Sequence, residues 1–248
     1  MRSAATLGVV IAGCGRIGFG DASYAAEVIA DHPVGYWRLD DAESGIAKDS
    51  SPSRLDGTYA GSVASVAGAL SDGDTAAEFD GAPTAFVTFV DDPRLEPGSA
   101  SFTFEVWLRV PAGPWNAYVD LVGKRSNCGS TDSFWNLIGY PSRTLATELR
   151  DSTLSKAFDL EISTPDASWH QYVRVLDRAA GTVTTYVDGT VLDVRPSTGL
   201  GAVSAAAPMR IGCALDSIGF GLPHALDELA VYDHALAADR VAAHFAAR

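Results

Sequence analysis

The stretch Ser101-Phe102-Thr103-Phe104-Glu105-Val106-Trp107-Leu108-Arg109-Val110 decides the fold. Phe102, Phe104, Val106, Leu108 and Val110 alternate with Thr103, Glu105, Trp107 and Arg109. A period of two sends successive side chains to opposite faces, so this is a long β-strand with one face on an apolar core. Pro93 and Pro97 precede it and Pro111 and Pro114 follow. Proline has no N–H to give a ladder, so these residues frame the strand. The apolar face is expected to meet an opposing sheet. The other face carries a carboxylate, an indole and a guanidinium.

The same short-strand pattern continues on both sides. Val34–Leu39 reads as a strand and Asp40–Arg54 as loop; Ala76–Phe79 runs into an Asp80-Gly81 turn, and Ala85–Val90 and Tyr118–Lys124 are strands. A three-strand meander fits residues 133–162. Thr182–Val187 and Thr190–Val194 flank Asp188-Gly189, a pair that suits a type I′ hairpin. Ala225–Tyr232 is the last strand. Ser23–Asp31 reads as a short helix capped by Ser23, and Ala235–Ala247 as a terminal helix with Leu236, Val241 and Phe245 on one side. No repeat and no long linker divides the chain, so residues 23–248 form one all-β domain, a two-sheet antiparallel sandwich with a short C-terminal helix.

The chain has 248 residues and a net charge of -13. That excess of acid excludes nucleic acid as a partner, because little is present to neutralise phosphates. It disfavours an anionic membrane face for the same reason and can favour cations such as calcium. Of three cysteines, Cys14 lies in a separate N-terminal stretch. Cys128 and Cys213 are then free to pair in an oxidising compartment, or to stay as two thiols.

Residues 1–22 have two readings. Gly13, Gly15 and Gly18 fit a dinucleotide-binding G-x-G-x-x-G after an apolar run. The helix that must follow is interrupted at Gly20, and no βαβ alternation succeeds it. The preferred reading is a leader: Arg2, a short apolar stretch Ala4–Ala12, then Ile11-Ala12-Gly13-Cys14, which resembles a bacterial lipobox with Cys14 as the lipidated residue. The expectation is a secreted or cell-surface protein, touching a membrane only through that lipid.

An ordered set of segments carries a family likeness: Val34-Gly35-Tyr36-Trp37-Arg38-Leu39-Asp40-Asp41, Asp56-Gly57-Thr58-Tyr59, Ala77-Glu78-Phe79-Asp80-Gly81, Ser101–Trp107, Trp169-His170-Gln171-Tyr172-Val173, Thr185-Tyr186-Val187-Asp188-Gly189, Met209-Arg210-Ile211-Gly212 and Leu226-Asp227-Glu228-Leu229-Ala230-Val231-Tyr232. Together they resemble the laminin-G-like, concanavalin A-like jelly roll of bacterial secreted proteins, from about Tyr24 to the carboxyl end. The resemblance implies two curved sheets packed face to face, binding to carbohydrate or protein, and often a calcium ion.

Each kind of site chemistry leaves its own signature. Glucanases of this fold place two carboxylates on one strand at short spacing, for acid and nucleophile. Here Asp159 and Glu161 are the only such pair and no third carboxylate follows. No G-x-S-x-G elbow accompanies the five histidines. Catalysis is therefore not expected, and a divergent glycoside hydrolase is the weaker alternative. For calcium, Asp40 and Asp41 end the first strand and Asp227 begins the last; if these strands are neighbours their carboxylates can share an ion, with Asp80 as a further candidate. The alternative is that these aspartates make local turn hydrogen bonds. For sugar stacking and hydroxyl recognition the candidates, taken as loop-borne, are Trp115, Asn116, Asn127, Trp135, Asn136, Tyr140 and Phe220. Glu105 and Trp107 are read as framework. The expected function is a non-catalytic binding or adhesion module for glycan, with a virion or cell-surface protein making protein contacts as the alternative.

Overall fold

The structure is a computed structural model, and it describes residues 23–112, 119–125, 134–140, 144–151, 160–163, 166–212 and 222–248. Helix α1 (Tyr24–Ala30) is capped by the Ser23 hydroxyl, which accepts from the Ala26 N–H at 3.3 Å. Strands β1 (Gly35–Trp37), β2 (Ile46–Ala47), β3 (Gly57–Ala60), β4 (Val63–Ala67), β5 (Thr75–Phe79) and β6 (Phe86–Thr88) follow. Then come β7 (Phe102–Arg109), β8 (Val119–Lys124), β9 (Phe134–Tyr140), β10 (Thr144–Arg150) and β11 (Leu160–Ser163). The chain closes with β12 (Trp169–Asp177), β13 (Thr182–Val187), β14 (Thr190–Pro196), β15 (Met209–Ile211), β16 (His224–Tyr232) and α2 (Ala238–Ala246).

The strands form two antiparallel eight-stranded sheets. The first runs β14-β13-β12-β7-β16-β5-β4, with β1 also on β16; the second runs β11-β10-β9-β8-β15-β6-β3-β2. The chain ends of the domain thus meet, Gly35–Trp37 lying against Leu229–Val231. The expected β1 is shorter than its apolar run. Leu39 turns into the left-handed region at φ 61, which a branched residue seldom adopts, and this ends the strand. The stretch expected as loop after it contains β2 and a single 3-10 turn, Ala42–Ser44.

The apolar face of β7 does meet the second sheet. Phe104 stacks on Trp135 with ring centroids 4.9 Å apart, and Phe102 tilts on the same indole at 5.2 Å. The opposite face is also buried, because both helices lie over it. Trp107 stacks on Phe245 of α2 at 5.8 Å and meets Tyr24 of α1 edge-on at 6.2 Å. Val173, Val175, Tyr186, Tyr232 and Val241 complete this second apolar layer. Among the described residues, no helix is long and apolar enough to cross a membrane.

Under α2 the sheet carries charge. The Glu105 carboxylate accepts from Tyr232 Oη at 2.8 Å and faces His244 Nδ1 at 3.0 Å, while His244 Nε2 faces Asp31 Oδ2 at 2.8 Å. Both ring nitrogens address carboxylate oxygens, which only accept, so the ring donates from both and is an imidazolium. Burial works against that charge, but Glu105 and Asp31 outweigh it and hold the His244 pKa above its ordinary value.

Candidate functional site

Beyond the edge of the helices, the first sheet ends in an open cavity. Glu78, Ala225, Arg109 and Trp169 stand opposite one another in a row across β5, β16, β7 and β12. Direct cross-strand neighbours share a face, so the row places a carboxylate, a guanidinium and an indole side by side. Arg109 donates to Glu78 Oε1 at 3.3 Å and lies 5.0 Å over the Trp169 ring. His224, the first residue of β16, is paired with Phe79 and stacks on its ring at 5.2 Å. Gly212 backs that ring: it sits at φ 89, and a Cβ there would run into Phe79.

Of these residues, Glu78, Arg109 and His224 line a cavity of about 370 Å³, walled otherwise by Pro111, Ala167 and Pro223. His224 is its most telling member. Nδ1 lies 2.6 Å from the Leu222 carbonyl, which can only accept, so Nδ1 carries the proton. Nε2 is then a bare acceptor; it is buried and has no partner. Burial pushes the imidazole pKa down to about 4, so the ring is neutral at physiological pH. A buried acceptor without a donor leaves its desolvation cost unmet, and a ligand hydroxyl or amide can supply that donor. The cavity therefore offers a carboxylate, a guanidinium and apolar walls, and one of its lining residues holds a buried, unpartnered acceptor. Glu78 is the one carboxylate among its described lining residues, whereas glycoside hydrolysis takes a pair.

Of the residues expected to bind ligand, the described ones, Trp135, Asn136 and Tyr140, do not line this cavity. Trp115, Asn116, Asn127, Phe220 and the three cysteines Cys14, Cys128 and Cys213 lie outside the described residues. Trp135 and Asn136 are not loop residues, a correction to their reading as loop-borne. They sit in mid-strand on β9, 1% and 0% exposed. The Trp135 ring fills the inter-sheet core and its Nε1 donates to the Leu95 carbonyl at 3.1 Å. Asn136 points the other way, donating to Asp120 Oδ1; Asn136 Oδ1 and Asp120 Oδ2 have no partners. Beside them Arg125 meets Glu148 at 3.0 Å, and Tyr140, half-buried at the end of β9, donates to Glu148 Oε1 at 2.9 Å. Burial pushes Asp120 up to about 7 despite Arg125. Sequence reading found Asn136 and Tyr140 of this buried cluster but not Asp120, Arg125 or Glu148, which come from the neighbouring strands.

Three of the four aspartates suggested for calcium have carboxylates that accept hydrogen bonds within the protein. Asp41 accepts from the Lys48 N–H at 2.7 Å and from Tyr59 Oη at 3.0 Å, and Asp80 from the Ala82 N–H at 2.8 Å. Asp40 is exposed, its carbonyl accepting from Thr75 Oγ1 at 3.3 Å. Asp227 is fully buried and accepts from the Ala69 N–H at 2.7 Å. Burial, with Glu228 beside it, pushes Asp227 up to about 9. Among the described residues, no three His, Cys, Asp or Glu side chains are placed to hold a metal ion.

A sequence model described as the concanavalin A-like lectin/glucanases superfamily matches residues 80–242. Among solved structures, the binding domain of Paraclostridial mosquitocidal protein 1 is similar at a TM-score of 0.72 and 17% identity, over 88% of this chain and 52% of that one. The botulinum neurotoxin serotype G binding domain gives 0.68 at 13% identity, over 86% and 50%. The serotype D ligand binding domain in complex with N-acetylneuraminic acid gives 0.68 at 10% identity, over 92% and 53%. The chain spans about half the length of these domains, and the likeness is one of fold. No curated protein matches the chain.

Proposed function

The chain belongs to the concanavalin A-like lectin/glucanases superfamily, and from that membership we propose that it is a non-catalytic binding module recognising carbohydrate in the cavity at the end of the first sheet. The observation that carries this is the buried Nε2 of His224, an acceptor without a partner in a residue that lines the cavity. Arg109 and Glu78 add a donor and an acceptor, and Pro111, Ala167 and Pro223 give the apolar surface on which a sugar ring can rest, with Trp169 against the far side of Arg109. Small-molecule sites run from roughly 300 Å³ upward. At about 370 Å³ the cavity suits one sugar ring, so the ligand is the terminal residue of a glycan rather than the middle of a chain. The serotype D neighbour, in complex with a monosaccharide, supports the reading by analogy of fold. A leader over residues 1–22, lipidated at Cys14, would place the module at the cell surface, and the mass of the mature N-terminus tests that.

A glycan array followed by calorimetry on the hits tests the function. Wild-type protein is expected to bind a defined terminal sugar, and His224→Phe, which keeps the stack on Phe79, to lose at least about tenfold in affinity, the equivalent of one lost hydrogen bond. Undiminished binding by His224→Phe would place the ligand elsewhere. A blank array would pass the function to a protein ligand, for which Val191, Leu192 and Val194, exposed on edge strand β14, are the available apolar surface.

A further inference from the structure

The acidic corner where β1 meets β16 is organised around a single cation. Arg38 leaves the end of β1 and its Nε donates to Glu228 Oε1 at 3.3 Å. Its NH2 donates to Asp74 Oδ2 and lies 3.4 Å from Asp72 Oδ2, both on the turn between β4 and β5. The other Glu228 oxygen accepts from Tyr36 Oη, on the neighbouring strand. Next to Glu228, Asp227 is fully buried, and its Oδ1 has no partner. Glu228 sits at φ 52 and Leu39, beside Arg38, at φ 61. Two non-glycine residues in the left-handed region are held there only by surroundings that over-determine them. Here they flank the segments that carry Arg38 and Glu228.

The family resemblance implies a calcium ion, the aspartates at the ends of the first and last strands are its expected place, and the residues of this corner do not fit one. Calcium takes six to eight oxygens from around it. The corner has carboxylates enough, but every oxygen of Glu228, Asp74, Asp72 and Asp227 except Asp227 Oδ1 turns to a guanidinium, a phenol or a backbone N–H group. A divalent ion would stand against Arg38. We infer that Arg38 is the resident cation of this corner: its guanidinium holds, among Glu228, Asp74 and Asp72, the place of the metal expected there. A guanidinium is planar, weakly hydrated and able to donate along several directions at once, which suits it to bridge carboxylates from two elements where an ammonium could address fewer. The fold thereby closes its first and last strands with no requirement for calcium, and Asp227 Oδ1 is left as the oxygen that a metal would use if Arg38 were absent.

Thermal melts of the whole chain in excess calcium chloride and in EDTA test this, with Arg38→Met and Arg38→Lys alongside wild type. Wild type is expected to melt at one temperature in both buffers. Arg38→Met should melt lower by roughly 5 °C or more in EDTA and recover at least half of that in calcium, as an unpaired acidic corner acquires an ion. Arg38→Lys, keeping the charge, should stay insensitive to calcium. A wild-type melt that rises with calcium, or an Arg38→Met protein as stable as wild type in EDTA, would overturn the inference. So would an Arg38→Met protein that is destabilised yet unmoved by calcium, since the corner would then be an ion pair and not a cation site. If Arg38→Met does not fold, Arg38→Gln, which also removes the charge, takes its place under the same criteria, and a calcium response of wild type or Arg38→Lys still sinks the assignment.

Discussion

Glu105, Trp107 and Arg109 project from the same face of the same strand, yet the molecule uses the two ends of that face in opposite ways. Under the helices, Glu105 is fully buried and locked between Tyr232 and His244, and Trp107 is stacked between α1 and α2. Past the helices, Arg109 stays partly exposed and bridges Glu78 and Trp169 at the mouth of the cavity. The residue types differ less than their cover does. A polar group becomes framework where helices seal it and stays open to solvent where the sheet runs on beyond them. The first end should therefore answer to stability measurements and the second to binding.

The largest effect is expected from Glu105→Ala. It leaves the His244 charge and the Tyr232 hydroxyl buried without their common partner, and stranding one member of a buried pair costs about 3–5 kcal/mol. Equilibrium denaturation should show that loss; a cost below about 1 kcal/mol would mean that α2 is held by its apolar face alone. Trp107→Ala should come next, at about 3 kcal/mol, through the hole left between the helices and the sheet. Glycan affinity should be unchanged, and a binding loss larger than the stability loss would move the site under the helices.

A smaller, graded effect is expected with pH. His244 has its pKa raised in the fold, so its contribution is complete below the unfolded value near 6.5 and is lost as pH rises through the folded value. Asp120 and Glu228, raised to about 7, and Asp227, raised to about 9, act with the same sign. Each binds its proton more tightly folded than unfolded, so each loses stability as pH climbs from the ordinary carboxylate range to its folded value. Denaturation midpoints should be higher at pH 6 than at pH 9. In His244→Gln the fall between pH 6 and pH 9 should be shallower, and an unchanged slope would remove His244 from the cause.

The sequence made the sandwich legible because strand alternation is local: the period of two over residues 102–110 identified β7 and assigned its Phe104 face to the opposing sheet. The fate of the other face was not local. Its cover, α2, lies more than a hundred residues away, and nothing in the pattern of Thr103, Glu105 and Trp107 tells a sealed face from an open one. The same reason hid the cavity. Glu78, Arg109, Trp169 and His224 come from four strands and meet only through strand pairing, so no motif spacing joins them. Trp135 was misplaced for the converse reason. An aromatic beside an asparagine and among turn residues reads as loop, whereas the indole fits between two phenylalanines of the facing sheet. Sequence reading gives the aspartates at 40, 41 and 227 one shared ion, whereas the carboxylates that Arg38 meets are Glu228, Asp74 and Asp72. A count of acids does not show which of them a guanidinium already pairs.

Arg109→Ala gives the smallest change in stability and the sharpest division between the two ends of the face. Its ion pair with Glu78 is long, at 3.3 Å, and both side chains are well exposed, at 31% and 43%. Such a pair contributes about 0–1 kcal/mol, with a further small share from the cation–π contact on Trp169. The midpoint of unfolding should therefore move little while affinity for the terminal sugar falls, because the guanidinium supplies the donor at the cavity mouth and holds Trp169 in place. Glu105→Ala should do the reverse wherever enough of the protein remains folded to assay. Binding that survives Arg109→Ala but not Glu105→Ala, measured on the folded fraction, would invert the assignment and put the ligand contact beneath α2.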